Sequence, residues 1–288
     1  MNDYVILTDS GCDIAPSLLK EWGVECANLT FRFNDEDKEY ENGEMPISAF
    51  YQRMRKGGVA KTAAVNAARF EEMFEPYLKE GKDILYIGFS TGLSTTYNSG
   101  RIAAEGLRET YPDRTIVTVD SLAASAGQGL LLYLAVEKKK AGATLEENTA
   151  YVEDLKLHIA HWFTVDDLVY LKRGGRVSAT TAFVGNALGI KPVMHVDNAG
   201  KLIPVTKVRG RRTSLAALAA KYSETAMTPD EGTIFISQGD CYADAELLAS
   251  MIAEKHPVKV QLITDVGTVI GAHSGPGTMA LFFVAKER

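Results

Sequence analysis

ILYIGFSTGLSTTYNSG, residues 84–100, decides how the rest of the chain is read. Ile84, Leu85, Tyr86 and Ile87 form a short apolar run, the pattern of a strand buried on both faces. Ser90, Thr91, Gly92, Ser94, Thr95 and Thr96 follow, and after Tyr97 the spacing turns helical, with Ile102, Ala103 and Leu107 expected on one face. A strand that feeds a hydroxyl- and glycine-rich turn at the start of a helix is suited to an anion. The first N–H groups of a helix have no intrahelical partner, that end carries partial positive charge, and serine and threonine hydroxyls add donors. An ordinary N-cap at Ser94 or Thr96 accounts for the same residues equally well. The stretch alone does not separate phosphate from carboxylate.

Upstream, Tyr4–Leu7 reads as a strand that runs into Thr8-Asp9-Ser10-Gly11, and Ala15–Trp22 as a helix with Pro16 in its first turn. Ala27–Phe33 reads as a second strand, Asn34–Glu44 as an acidic solvated loop, and Ser48 as the cap of a helix through Arg55, ended by Gly57-Gly58. Lys61-Thr62-Ala63-Ala64 leads into a helix over Asn66–Leu78 with Phe70, Met73, Phe74 and Tyr77 at core spacing. Downstream, Thr115–Val119 is a further strand, and Ser125–Gly129 opens the apolar helix Leu130–Val136. Strands alternating with helices imply βαβ units and a parallel sheet.

Near residue 158 the pattern changes. Thr144–His158 reads as a linking helix, Ile159–Val165 as a strand, Asp166–Leu171 as a short helix and Lys172–Arg176 as a basic turn. Lys191–Asp197 and Lys201–Val208 flank Asn198-Ala199-Gly200, a hairpin signal. A helix (Thr213–Tyr222), a strand (Thr233–Ser237), a helix (Tyr242–Glu254), a strand (Val258–Ile263), a Gly/Pro turn over Gly271–Gly277 and a last strand (Met279–Ala285) complete the chain. The expected fold class is α/β, with a parallel sheet covered by helices on both faces in residues 1–158 and a mixed sheet in residues 159–288.

A net charge of −6 over 288 residues, with 46% hydrophobic and 24% charged residues, fits a globular protein and argues against nucleic-acid binding through bulk charge. Cys12, Cys26 and Cys241 are far apart, without a CxxC pair or a histidine at ligand spacing, so reduced thiols are expected and no metal site. No signal-peptide pattern opens the chain, and no apolar run is long enough for a bilayer. The expected location is the cytoplasm.

Asp9-Ser10, Ser90-Thr91 with Ser94, and Asp120-Ser121 all fall at the C-terminal ends of the expected parallel strands, the edge where open α/β sheets bind ligands. The same residues are also ordinary turn formers. Neither GxxxxGK[ST] nor GxGxxG occurs, so no nucleotide cofactor is expected. A nucleophilic Ser94 would lack the GxSxG elbow, and the five histidines show no recognisable triad order. Arg176 follows Gly174-Gly175, where a guanidinium has room to meet an anion, and His273 lies in AHSGPG, expected to aim an imidazole from a rigid turn.

Together these pieces resemble the DegV family of fatty-acid-binding proteins. The match rests on TDSGCD at Thr8–Asp13, Lys61-Thr62, LSTTYNS at Leu93–Ser99 and DSLAASAGQG at Asp120–Gly129. It continues through DDLVYLKRGGRVS at Asp166–Ser178, LGIKPV at Leu188–Val193, KVRGRR at Lys207–Arg212, QGD at Gln238–Asp240 and GAHSGPGT at Gly271–Thr278. The resemblance implies a two-domain fold with one long-chain fatty acid between the domains. It places the carboxylate at Thr62 and Ser94, with main-chain amides near Ser94, and groups Thr95 and His273 with them. Arg176 and Arg209, with His273, match basic positions near the head group. Three departures stand out: Thr62-Ala-Ala-Val-Asn66 replaces TSxPS, Thr95 replaces the glycine of LSGTY, and Gln238 replaces the histidine of HGD.

The resemblance further implies a carrier, not an enzyme in its own right, that presents the carboxylate to a separate ATP-dependent fatty acid kinase subunit for conversion to acyl phosphate. Thr62 and Ser94 would ground the carboxylate, and Arg176, Arg209 and His273 would stabilise charge during transfer. Transient membrane contact is the other expected partnership, and nucleic acid is not. The apolar stripes Phe70–Tyr77 and Leu130–Val136 are candidates to line the lipid tunnel. The alternatives are a Ser94-dependent acyl or phosphate ester hydrolase, and a fatty-acid sensor that docks through the basic 207–212 face.

Overall fold

The computed structural model describes residues 3–178, 189–258 and 260–288. In chain order the first part contains β1 (Tyr4–Asp9), α1 (Pro16–Trp22), β2 (Glu25–Ala27), β3 (Thr30–Phe33), β4 (Tyr40–Glu41), α2 (Ile47–Arg55), β5 (Ala60–Ala63), α3 (Ala67–Lys79), β6 (Asp83–Gly88), α4 (Thr96–Thr110), β7 (Ile116–Asp120), α5 (Ala126–Lys140) and α6 (Leu145–Leu155). Then follow β8 (Ile159–Thr164), α7 (Val169–Arg173), β9 (Ile190–Val196), β10 (Leu202–Arg209), α8 (Arg211–Thr225), β11 (Thr233–Gln238), α9 (Tyr242–Ala253), β12 (Val260–Asp265), α10 (Thr268–Ser274) and β13 (Met279–Val284). Strands β2-β1-β6-β7 form a parallel sheet. Strands β10-β9-β8-β13-β11-β12 form a mixed sheet in which the β11–β12 pair is parallel and the other pairs are antiparallel. The expected α/β class with one parallel and one mixed sheet is the observed one.

A third sheet, β4-β3-β5, is antiparallel and was not expected. It revises three readings. The expected strand Ala27–Phe33 divides at Asn28-Leu29, where the Leu29 amide donates to Ser10 Oγ and the chain leaves the parallel sheet. The acidic stretch contains β4, held to β3 by the stacked rings of Phe31 and Tyr40. Lys61–Ala63 is not a lead-in but part of β5, paired with Thr30–Arg32, which puts Thr62 on a strand. Short strands of two to four residues have no periodicity to read.

Smaller differences have local causes. Pro46, not Ser48, occupies the N-cap of α2, and the Gly271–Gly277 segment begins as the last turn of α10, so His273 is helical. Gly271 is required there because a Cβ would meet Tyr51 Oη at 2.4 Å. In α4 the buried face is Ala103, Ala104 and Leu107, and Ile102 is exposed. The Asn198-Ala199-Gly200 hairpin forms as expected, with Gly200 at φ 70°. Leu188, in the LGIKPV match, lies outside the described residues. Among the described residues no helix is long and apolar enough to cross a membrane.

Two features position the cavity. Asp9, at the C-terminal end of β1, is fully buried and gathers donors from its own turn and two other segments: Gly11 N (3.0 Å), Phe89 N (2.9 Å) and Tyr86 Oη (2.7 Å) from the β6 region, and Gln128 Nε2 (3.4 Å) from α5. Burial pushes its carboxyl above the ordinary range while these hydrogen bonds pull the other way. The second feature is α5, apolar around most of its circumference and packed on β8, β11 and β13 as well as on β6. Gly127 lets it approach closely, since a Cβ there would lie 2.2 Å from His161 Nε2.

Asp9→Ala should lower unfolding free energy by about 3 kcal/mol, because several buried donors lose their acceptor. Glu105→Ala, on the exposed face of α4, should stay within about 0.5 kcal/mol. Urea unfolding of the two variants measures the difference.

Candidate ligand-binding site

A cavity of about 880 Å³ lies beyond the C-terminal ends of the parallel strands, between that sheet and the mixed one. Its interior is lined by Phe163, Val196, Val266, Ala280 and Phe282, and its rim by the turn after β6, the end of β5, residues 175–178 and the first residues of β10. The β9–β10 hairpin tip closes one side. Ser90 Oγ donates to Gly200 O at 2.9 Å, and Gly92 permits the contact because a Cβ would meet the Ala199 and Gly200 carbonyls at 2.6 Å.

Thr62, Ser94, Thr95, Arg176 and His273 all border this cavity, although they come from four separate regions of the chain. Thr62 Oγ1 and His273 Nε2 are 2.8 Å apart. With the proton on Nε2 the imidazole donates to Thr62, which leaves the Thr62 hydroxyl proton for a ligand. Gly174 lets the chain pass over the ring, since a Cβ would come within 2.2 Å of His273 Nδ1. Burial first, and the Arg176 charge second, lower the His273 pKa to about 4, so the imidazole is neutral near pH 7. Arg176 grips the Leu93 carbonyl with Nε (3.2 Å) and Nη2 (3.1 Å) and Gly174 O with Nη1 (2.5 Å). A cation thereby holds the loop that carries Ser94.

Ser94 Oγ accepts from Thr96 N (3.2 Å) and lies 2.9 Å from Thr96 Oγ1. When Thr96 donates, the Ser94 proton is available to an anion. Two of the amides expected to help are already engaged, Ser94 N to Ser90 O and Thr96 N to Ser94 Oγ. Thr95 is the N-cap of α4 at φ −85°, so a side chain fits there without strain, and its hydroxyl does not cap the helix.

The family model described as "Uncharacterised protein, DegV family" matches residues 3–286. The chain belongs to the DegV family. It is 46% identical to a DegV domain-containing protein of Clostridium perfringens over 100% of this chain and 99% of that protein. A fatty acid-binding protein of Thermotoga maritima is 31% identical, with 98% of each covered. The crystal structure of a DegV lipid-binding protein, also from Thermotoga maritima, superposes with a TM-score of 0.87 at 30% identity over 99% of both chains. The resemblance drawn from the motifs is correct, and this DegV chain has the fold that it implied.

Other site expectations are revised. Arg209 is exposed at the end of β10 and is not among the cavity-lining residues described. Of the basic 207–212 segment, Arg211 is committed to ion pairs with Asp244 (2.9 Å) and Asp166 (3.7 Å). Neither Phe70–Tyr77 nor Leu130–Val136 lines the cavity. Phe70 and Phe74 pack on the ring of Tyr86, and Leu130–Leu132 are fully buried core. The Asp9, Ser90 and Asp120 loops are mostly self-satisfied turn chemistry, Asp120 accepting from Thr91 and Leu122. Among the described residues the hydroxyl partner of Ser94 is Thr96, and the His273 hydrogen bond goes to Thr62. Ser125, Ser237 and His161 also line the cavity, although Ser125 reads as a helix opening and the other two sit in apolar runs that read as core.

His273 gives the unliganded protein an acid-side weakness. Its folded pKa of about 4 lies below the ordinary 6.5, so stability is intact above pH 6.5 and is lost as pH falls through 4. Urea unfolding should show a loss of roughly 2 kcal/mol by about pH 4.5 that His273→Gln removes.

Proposed function

We propose that this protein binds one long-chain fatty acid in the cavity, with the carboxylate at Thr62, Ser94 and His273, and presents it to a separate ATP-dependent kinase for conversion to acyl phosphate. The observation that carries the reading is one cavity with a cluster of neutral donors at its rim, Arg176 and Lys201 beside them, and a largely apolar interior. The division of labour follows from energetics. About fourteen methylenes at ~0.8 kcal/mol each give on the order of 11 kcal/mol before binding costs, enough for passive holding. A sequestered carboxylate must be hydrogen-bonded, and hydroxyls do this, Thr62 with the neutral His273 imidazole behind it, without an ion pair that would blunt its reactivity. Arg176 sits one layer back, on the Leu93 and Gly174 carbonyls, where its charge favours added negative charge during transfer. Fatty-acid binding in relatives supports the first half of the reading. The kinase step rests on the family resemblance and on the absence of a nucleotide-binding motif in this sequence. In this reading the chain divides near residue 158 into two units, each built on its own large sheet.

Native mass spectrometry before and after organic extraction tests the carrier. A species heavier by one fatty acid should appear and return on addition of palmitate or oleate, and a protein that stays empty throughout defeats the proposal. Ser94→Ala should weaken fatty-acid binding by roughly 1–3 kcal/mol, the cost of leaving a charged acceptor one donor short. Arg176→Lys should keep most of the bound lipid and lower acyl-phosphate formation with the cognate kinase. Equal loss of binding in both variants would place Arg176 directly on the carboxylate.

A further inference from the structure

Deeper in the cavity the wall is not uniformly apolar. Ser125, at the start of α5, and Ser237, in β11, both line it, with their hydroxyl oxygens 2.9 Å apart. Ser125 Oγ donates to Asp13 Oδ2 at 2.6 Å. While Asp13, whose carboxyl burial pushes up to about 7, is ionised, the single Ser125 proton is committed and Ser237 gives its own to Ser125, which leaves the Ser237 oxygen an acceptor with unused lone pairs. The backbone is held in place for this arrangement. Ser125 adopts φ 53° and ψ −147°, a region open mainly to glycine, and Asp13 is left-handed at φ 51°. Ser274 also lines the cavity, is 6% exposed, and its hydroxyl has no hydrogen-bond partner.

The polar side chain beside them is already satisfied. His161 Nδ1 pairs with Ile159 O at 2.8 Å and its Nε2 accepts from Ala124 N at 3.4 Å. The remaining surroundings are Phe163, Phe282, Ala280 and Val266. A plain hydrocarbon laid along this wall leaves Ser237 without a donor and Ser274 without any partner. Two hydroxyls with spare capacity in a greasy channel, one of them backed by a strained residue and a buried carboxyl, fit a ligand that brings its own oxygen.

We propose that the cavity is suited to hydroxy fatty acids, whose hydroxyl donates to Ser237 Oγ, with Asp13–Ser125 fixing the direction of the Ser237 hydroxyl and Ser274 a second open partner along the wall. The inference rests on the fatty-acid reading above and names the class of chain. Its test is displacement of a fluorescent fatty acid by stearate and by a series of hydroxystearates with the hydroxyl at successive positions. At least one isomer should compete about fivefold better than stearate, the increment of one added hydrogen bond. Ser237→Ala should abolish that preference and leave stearate affinity within about twofold. If stearate competes as well as or better than every isomer in the native protein, or if Ser237→Ala and Ser274→Ala both leave the preference intact, this inference alone falls. If neither class of lipid displaces the probe, the fatty-acid reading falls and takes this one with it. The native-protein comparison is decisive even where a variant fails to fold.

Discussion

The buried carboxylate of Asp9 is the constraint on which the rest depends. A carboxylate without solvent must be surrounded by donors, and here they come from its own turn, from the end of β6 and from α5. Satisfying it fixes where β6 stops and where α5 lies, and so fixes the starting points of the turn over residues 89–95 and of the Ser125 bend. Gly100 completes the arrangement, because a Cβ there would lie 2.6 Å from the Tyr86 ring whose hydroxyl Asp9 holds. The cavity is bounded by segments whose positions follow from this one polar requirement in an apolar core.

The rim chemistry shows a similar economy of charge. Arg176 faces carbonyl oxygens, His273 is neutral, and Thr62 and Ser94 offer hydroxyls, with Lys201 at the hairpin side of the lining. An anion entering the rim meets directional donors first and a fixed positive charge second. In the proposed carrier that order would separate recognition from activation, and it gives Gly174 and the Leu93 carbonyl a part in the site without a side chain presented to it.

Much of this was legible in the sequence where the pattern was long or chemically odd. The Ile84–Ile87 strand, the Phe70/Phe74 helix face and the Gly200 hairpin follow from periodicity and turn chemistry, and the YLKRGGR and HSGPGT pieces single out Arg176 and His273. What could not be read depends on long-range pairing. The strand that carries Thr62 exists only because Thr30–Arg32 lies beside it, and nothing in Ala-Lys-Thr-Ala announces that. Arg209 and Arg176 are the same residue type in similarly basic stretches, and only the path of the chain separates the exposed one from the one at the cavity. The strain at Ser125 is likewise invisible, since serine before a helix reads as an ordinary cap.

The position of α5 carries one more consequence. Its side chains belong to the packing of both large sheets, so the sheets cannot swing apart without stripping leucines from one of them. A clamshell motion is therefore the expensive way to admit a lipid. The hairpin tip at residues 197–200 touches the opposite rim through far fewer groups, the Ser90–Gly200 hydrogen bond among them, so its displacement exposes little core. In the carrier proposed above, lipid exchange would then depend on these few rim contacts, which can change in evolution without disturbing the fold.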